Sequence, residues 1–380
     1  MAMPKDKARF LFVDLLRGWA LLVMIEVHVF NVLMQPVLKN TQWFKVLNFA
    51  NGLVAPSFLF ISGFAFEIST RGKTDELRKF NYALWKKLGR IFLIILAGYS
   101  LHLPILSLRR LMHFYSRETI ISFYNVDVLQ CIAIGLLFVL ILRLVIRSEK
   151  VYNIIIILAL LTSVVLSPLV WQTDFTAFLN VPLANYFNIM NGSFFPLFPW
   201  VGFLFAGTVC CKYYLEAREK NKEEKFVQQL IITGTVLALL GHIFLTPALN
   251  IFTCDHKANP VFFLQRLGYI FFLLGVCWYY IEKRKTKSSF VLDVGRESLI
   301  VYWLHLQFLY RRFYHETSFA SIYGDKFDIW GCIIATVVLA VIMIIIAKLW
   351  GEFKKKHRPI ASDISIGIVS LTVIIFLIGF

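Results

Sequence analysis

Eleven apolar runs, each about as long as a bilayer-crossing helix, follow one another along the 380-residue chain with short polar stretches between them. They cover about 10–33, 48–69, 88–108, 126–146, 152–171, 195–212, 226–247, 261–281, 293–311, 329–349 and 363–380. A soluble core cannot absorb this pattern. Hydrophobic residues make up 58% of the chain, Phe alone occurs 37 times, and only 16% of residues are charged, against about 45–50% and about 25% in soluble proteins. The same figures exclude a disordered chain and a secreted disulfide scaffold. The polar connections reach only about 20 residues. Residues 1–380 are therefore read as a single all-α, polytopic integral membrane domain, with its chemistry inside the membrane or at its two faces.

The net charge of +16, from 39 basic and 23 acidic residues, raises the question of nucleic acid. Placement answers it. With the N-terminus in the cytoplasm, 28 Lys and Arg fall inside, 9 outside, and Arg17 and Arg266 within spans. That asymmetry predicts an N-in, C-out topology, and no basic run is interleaved with aromatics, so no nucleic-acid partner is expected. The first apolar run is interrupted by Asp14 and Arg17 and no small-residue cleavage site follows, so it reads as a span and not as a cleaved signal. Five of the six cysteines lie in apolar runs, and Cys254 alone sits in an external loop. With no CxxC or Cys/His zinc spacing, neither a metal site nor a structural disulfide is expected. The Lys-, Ile- and Phe-rich usage with short loops points to a bacterial inner, or plasma, membrane.

An ionisable residue within a span costs a few kcal/mol and marks a functional site by default. The first span holds Asp14, Arg17, Glu26 and His28. Arg17 and His28 are 11 residues apart, about 1100° at 100° per residue, which puts them on one face about 16 Å apart along the axis. Leu21 and Met24 lie on the stripe between them, Asp14 is placed to pair with Arg17, and Glu26 points away from His28. One reading is structural: Asp14 and Arg17 form an ion pair at the cytoplasmic edge, and His28 hydrogen-bonds a neighbouring helix. The other is functional: Arg17 grips a phosphate at the inner mouth, and His28 presents a neutral, basic imidazole in the outer half. The interval between them suits a long donor with a charged head and a reactive tip, such as an acyl-coenzyme A.

Further polar groups gather at the same depths. His102, His242 and His305 fall in outer halves of spans, His113 lies just outside, Asp127 and Gln130 open the fourth span, and Arg266 lies near the outer end of the eighth. Glu67, at the inner end of the second span, is expected at the interface. On the inner side Lys86, Lys87 and Arg90 begin the third span, either as interfacial anchors or as phosphate ligands beside Arg17. "GRES" (295–298) opens the ninth span, without the spacing of a phosphate loop. Trp200 is expected at the interface, where the alternative is stacking on a sugar.

Arg17 and His28 form an R-x10-H pattern that resembles the signature of the transmembrane acyltransferases, which include the acyltransferase-3 proteins and the heparan-alpha-glucosaminide N-acetyltransferase family. "VDLLRGWALLVM" (13–24), "APSFLFISGFA" (55–65), "DVLQCIAIGLL" (127–137), "FPLFPWVGFLFAG" (195–207) and "GRESLIVYWLH" (295–305) are similar to the second of these, in family order. The resemblance implies about ten or eleven spans and transfer of an acetyl group from cytosolic acetyl-CoA to a sugar amine or hydroxyl on the far side. It also implies coenzyme binding by Arg17 and catalysis by His28. One departure stands out. Where the active histidine is placed in the external connection before the "FLFISG" helix, residues 35–54 of this chain hold none, which leaves His28, His305 or His102 for that work.

The expected site is therefore His28, His305 and Asp14 for catalysis, with Arg17, Lys87 and Arg90 for the coenzyme. Acetyl-CoA is the donor substrate, no metal is used, and the partners are lipid, a glycan or amino-sugar acceptor and a second copy of the chain. The rival from another class is a proton-coupled transporter or flippase using Asp14, Glu26 and the outer histidines as a relay. Broken helices and internal two-fold repeats would favour it; no repeat is evident in the sequence.

Overall fold

A computed structural model describes residues 10–103, 107–109, 113, 116–285, 288–312 and 317–378. Of the basic residues counted above, Lys5, Lys7, Arg9, Arg110 and Lys287 lie outside the described residues, as do 104–106 of the third expected span and 379–380 of the last. The principal elements are helices α1 (Leu11–Leu33), α2 (Val54–Thr70), α3 (Tyr82–His102), α4 (Val128–Val145), α5 (Glu149–Val165) and α6 (Leu197–Glu219). They continue as α7 (Glu223–Phe244), α8 (Pro260–Arg284), α9 (Phe290–Arg296), α10 (Ser298–Tyr310), α11 (Ile329–Lys356) and α12 (Arg358–Ile378). Among the described residues there is no strand, only an isolated bridge between Met34 and Phe327.

Among the described residues six helical segments are long and apolar enough to cross a membrane: Gln42–Thr70, in which a short helix Gln42–Asn51 runs on into α2, with α4, α7, α8, α11 and α12. The remaining expected spans correspond to α1, α3, α5, α6 and the α9–α10 pair, which are shorter or more charged. The helices begin where the sequence supplies caps. The Asn81 side chain accepts from Ala83 and Leu84 at α3, Asp127 forms a capping box with Gln130 at α4, and Ser289 caps α9. α3 starts six residues before the apolar run, so Lys86, Lys87 and Arg90 lie within its first turns. The ninth expected span is two helices, broken at Glu297 (φ −102°, ψ 32°), whose carboxylate accepts from Lys354 at 2.8 Å.

α1 is the buried centre of the bundle: Leu21, Ile25 and Leu33 are fully enclosed. Glycines let the backbones meet. A Cβ on Gly18 would lie 2.0 Å from the Val291 carbonyl oxygen and one on Gly295 2.0 Å from that of Asp14, so α1 and α9 cross at glycine on both sides. Gly63 of α2 and Gly207 of α6 form a second such crossing: a Cβ on Gly63 would lie 1.9 Å from the Leu204 carbonyl oxygen, and one on Gly207 1.9 Å from that of Phe60. Packing of this kind drives helix association where lipid is as apolar as the side chains.

Glu67 is buried, not interfacial. It pairs with buried Arg143 of α4, whose other nitrogen bonds both oxygens of Glu149 at 2.6 and 2.7 Å, while the guanidinium lies 3.7 Å from the Tyr152 ring centroid. Arg78 donates to the carbonyls of Arg143, Leu144 and Ile146, satisfying the C-terminal end of α4. All six cysteines are free, and Cys254 alone of them is not buried.

Candidate functional site

A cavity of about 1760 Å³ lies along α3. Its lining on that helix begins at Lys87 and ends at Leu103, 16 residues or about 24 Å, most of the roughly 30 Å hydrocarbon thickness. The lining changes character along the way. At one end stand Arg17, Lys87, Arg90 and Arg296; the middle is apolar, with Ile94, Leu129, Ile132 and Leu136; the other end carries Tyr99, Ser100, Tyr302 and Trp303. Trp303 donates to Ser100 Oγ at 2.8 Å, which ties α10 to α3.

Among the expected site residues, Arg17 from α1 and Lys87 and Arg90 from α3 thus meet around one space. Arg17 donates to Asp14 at 3.3 Å and to the Gly295 carbonyl at 3.4 Å. That geometry depends on the Gly18–Gly295 crossing. Asp14 is buried and belongs to this basic end; it stands 14 residues, about 21 Å, from His28 along α1. Lys87 donates to the carbonyl and hydroxyl of Ser69, at 3.2 and 2.8 Å. Lys86 lies over the Tyr82 ring and does not line the cavity. Arg296, paired with Asp293 at 3.2 Å, is a cavity residue for which the sequence suggested no role.

At the other end, His28 and His305 come together with ring centroids 5.5 Å apart. Neither lines the cavity; Tyr302 does, and its ring meets His305 edge-on at 5.8 Å. The order inward from the cavity is therefore Tyr302, His305, His28. His305 is wholly buried. Its Nδ1 lies 2.8 Å from the Val301 carbonyl, an atom that only accepts, so in the neutral ring Nδ1 carries the proton and Nε2 the lone pair. That Nε2 has no hydrogen-bond partner among the described residues. His28 is only partly buried, and its Nδ1 is 3.1 Å from the Tyr310 hydroxyl.

Asp127 stands within electrostatic range of His28, His102, Tyr302 and Tyr310, and His102 Nε2 is 3.9 Å from its Oδ2. Periodicity along α1 identified His28, but no local signal marks Tyr310 or Tyr302, whose roles arise from the α1–α10 contact.

The remaining polar residues sit apart from this cluster. His242 bonds the Tyr269 hydroxyl at 2.6 Å and packs on Phe49, and neither partner lines the cavity. His113 is exposed, with Nδ1 2.9 Å from the Arg109 carbonyl. Glu26 accepts from Asn51 at 3.4 Å. Arg266 is buried, donates to the Phe49 carbonyl at 2.7 Å and lies over the Phe49 ring, stapling the short helix Gln42–Asn51 to α8. Trp200 is buried against Phe195 and Phe262 and offers no face to a sugar. Among the described residues no group of three or more His, Cys, Asp or Glu is arranged to hold a metal.

The family model described as "Heparan-alpha-glucosaminide N-acetyltransferase, catalytic" matches residues 9–246. No curated protein matches the chain. The matched region is well over half of the sequence, and the chain belongs to this family.

Proposed function

We propose that this member of the heparan-alpha-glucosaminide N-acetyltransferase catalytic family is a membrane-embedded acyltransferase of the plasma membrane. On this reading it takes an acetyl group from cytosolic acetyl-CoA and transfers it to an amine or hydroxyl of a sugar on the far side. Eleven crossings with the N-terminus inside fit the distribution of Lys and Arg. The observation that carries the reading is one continuous cavity, basic at the Arg17 end and walled at the other by Tyr302, one ring from His305.

The chemical fit to the donor is specific. Coenzyme A has an anionic head and a long, uncharged arm, interrupted by two amides, that ends in a thioester. Arg17, Lys87 and Arg90 would hold the head, with Asp14 fixing the Arg17 guanidinium. The uncharged stretch between the two ends, along α3 and within reach of Ser62 and Ser100, would take the arm. The outer end, which carries aromatic rings and hydroxyls, would receive the thioester. His28 is the general base in this scheme; because it stands behind Tyr302 and His305 and does not line the cavity, those rings would have to shift for it to reach the acceptor. It accepts the proton from the acceptor N–H or O–H as that atom bonds to the thioester carbonyl carbon. The C–S bond then breaks, the thiolate takes up the proton, and the products are an acetylated sugar and free coenzyme. Tyr310 orients the His28 ring. His305, whose Nε2 lone pair is held ready by Val301, is the second imidazole of the centre.

The test is acetyl transfer in proteoliposomes loaded with radiolabelled acetyl-CoA and supplied with amino-sugar or hydroxyl acceptors. Loss of a general base costs about 10²–10⁴ in rate. His28→Ala should therefore fall by that factor in a protein that still binds coenzyme, and full turnover in a folded His28→Ala protein would remove His28 from the mechanism. The break at Glu297 is the one feature that favours a transporter or flippase. The same vesicles separate the readings, since transport accumulates an unmodified solute while transfer labels the acceptor.

A further inference from the structure

The coenzyme residues named above occupy one wall of the cavity. The facing wall is built by α12 and the inner end of α11. At about 1760 Å³ the space exceeds the ~300–1,000 Å³ that takes one drug-sized ligand. On α12 the lining residues are Ser365, Ile368, Val369, Thr372, Val373 and Phe376. At 100° per residue they fall within an arc of about 140°, so one face of the helix is turned to the cavity while Ile374 lies on the reverse. Even on the cavity face, Ile368 is 58% exposed and Val373 39%. α12 therefore stands off from the bundle, and among the described residues no side chain fills the gap between it and α3.

The inner mouth of this half is cationic. Lys348, Lys354, Lys355 and Arg358 line it, and Glu352 is the one carboxylate that α11 adds among them. Lys354 is paired with Glu297; Lys348, Lys355 and Arg358 make no ion pair among the described residues. A basic cluster at the cytoplasmic end of an apolar cleft between helices complements a molecule with a phosphate head and hydrocarbon chains. We propose that the cleft between α3 and α12 holds an anionic phospholipid, its phosphate on Lys355 and Arg358 and an acyl chain along the Ser365–Phe376 stripe. Coenzyme A shares the phosphate chemistry, but its hydrophilic arm does not match a face of Ile, Val and Phe.

The experiment uses the full chain in phosphatidylcholine nanodiscs containing a trace of photo-crosslinkable phosphatidylglycerol, with photo-crosslinkable phosphatidylcholine as the comparison. Phosphatidylglycerol should label the protein preferentially, at peptides of α3 and α12. A surface Lys or Arg contributes about fivefold to anionic-lipid binding, so Lys355→Gln with Arg358→Gln should weaken labelling about thirtyfold. Thr372→Trp, which fills the cleft, should abolish it, whereas Ile374→Trp on the reverse face should leave it intact. Equal labelling by the two lipids, unchanged labelling in the double variant, or equal loss from both tryptophans would overturn the proposal. So would a double variant that keeps its lipid but loses coenzyme affinity in a calorimetric titration, because the cations would then belong to the donor. Labelling needs no turnover, so its failure leaves the acyltransferase reading standing, and an inactive enzyme leaves the lipid site standing.

Discussion

Replacing Arg143 by Met should destabilise the protein by about 3–5 kcal/mol, the cost of leaving a buried charge without its partner. The side chains of Arg143 and Glu67 are only 2% and 1% exposed, whereas that of Glu149 is 57% exposed. Arg143→Met strips Glu67 of its guanidinium and leaves it a 3.5 Å contact with the Tyr152 hydroxyl. Glu149→Gln removes a partner that water already screens, which is worth about 1 kcal/mol or less. Glu67→Gln falls between, because Arg143 retains Glu149 and the Tyr152 ring. The double variant Glu67→Gln with Arg143→Met removes both buried charges and should recover most of the loss. The assay is reversible unfolding of purified protein in mild detergent, followed by tryptophan fluorescence across the four variants. Equal losses from Arg143→Met and Glu149→Gln, or a double variant no better than Arg143→Met, would refute the claim that desolvated charge, and not contact number, sets the penalty.

Three further outcomes follow from the geometry. Arg17→Ala should raise the KM for acetyl-CoA with a smaller change in kcat, read from initial rates at saturating acceptor; a pure kcat defect would move Arg17 away from the coenzyme. Gly63→Ala drives a Cβ to 1.9 Å from the Leu204 carbonyl and should cost about 1–3 kcal/mol or more. Gly89→Ala, with nothing within 4 Å in mid-helix, should stabilise by about 0.5–1 kcal/mol, and thermal melts of the pair decide it. Tyr310→Phe should slow acetyl transfer while leaving coenzyme affinity unchanged, and it should do nothing further in a His28→Ala background. Additive losses would show that Tyr310 acts independently of His28.

How far the sequence reaches is clear from α1. The 3.6-residue period placed Arg17 and His28 on one side of one helix before any tertiary information, because both positions belong to the same rigid rod. The apolar runs located the helices but not their ends. α11 continues through Lys354–Lys356 because lysine is a good helix former, while hydropathy registers only the hydrocarbon-facing part. The break at Glu297 was hidden inside an apolar run for the same reason. What stayed out of reach are contacts between distant segments. His305 is 277 residues from His28, Glu67 is 76 from Arg143, and the glycines that bring α1 to α9 and α2 to α6 carry no pattern separating them from Gly89, which touches nothing.

The depth of the two ends explains why one helix should carry both Arg17 and His28. A coenzyme head with several charges cannot enter hydrocarbon, and a sugar outside cannot cross it. On the proposed mechanism only the small neutral acetyl group has to pass. A helix rises about 1.5 Å per residue, so on the proposed mechanism 11 residues separate the coenzyme-binding cation from the proposed base about 16 Å along the same helix. Asp14, Gly18 and Gly295 fix the first of these through the α1–α9 crossing, and Tyr310 and His305 fix the second through α10. Because α9 and α10 adjoin at Glu297, the two supports are one connected piece. A substitution that opens the Gly18–Gly295 crossing should therefore reach His28 as well as Arg17: Gly18→Ala should lower kcat and raise KM together, where Arg17→Ala raises KM alone. Should Gly18→Ala in folded protein change KM only, the two ends are held independently.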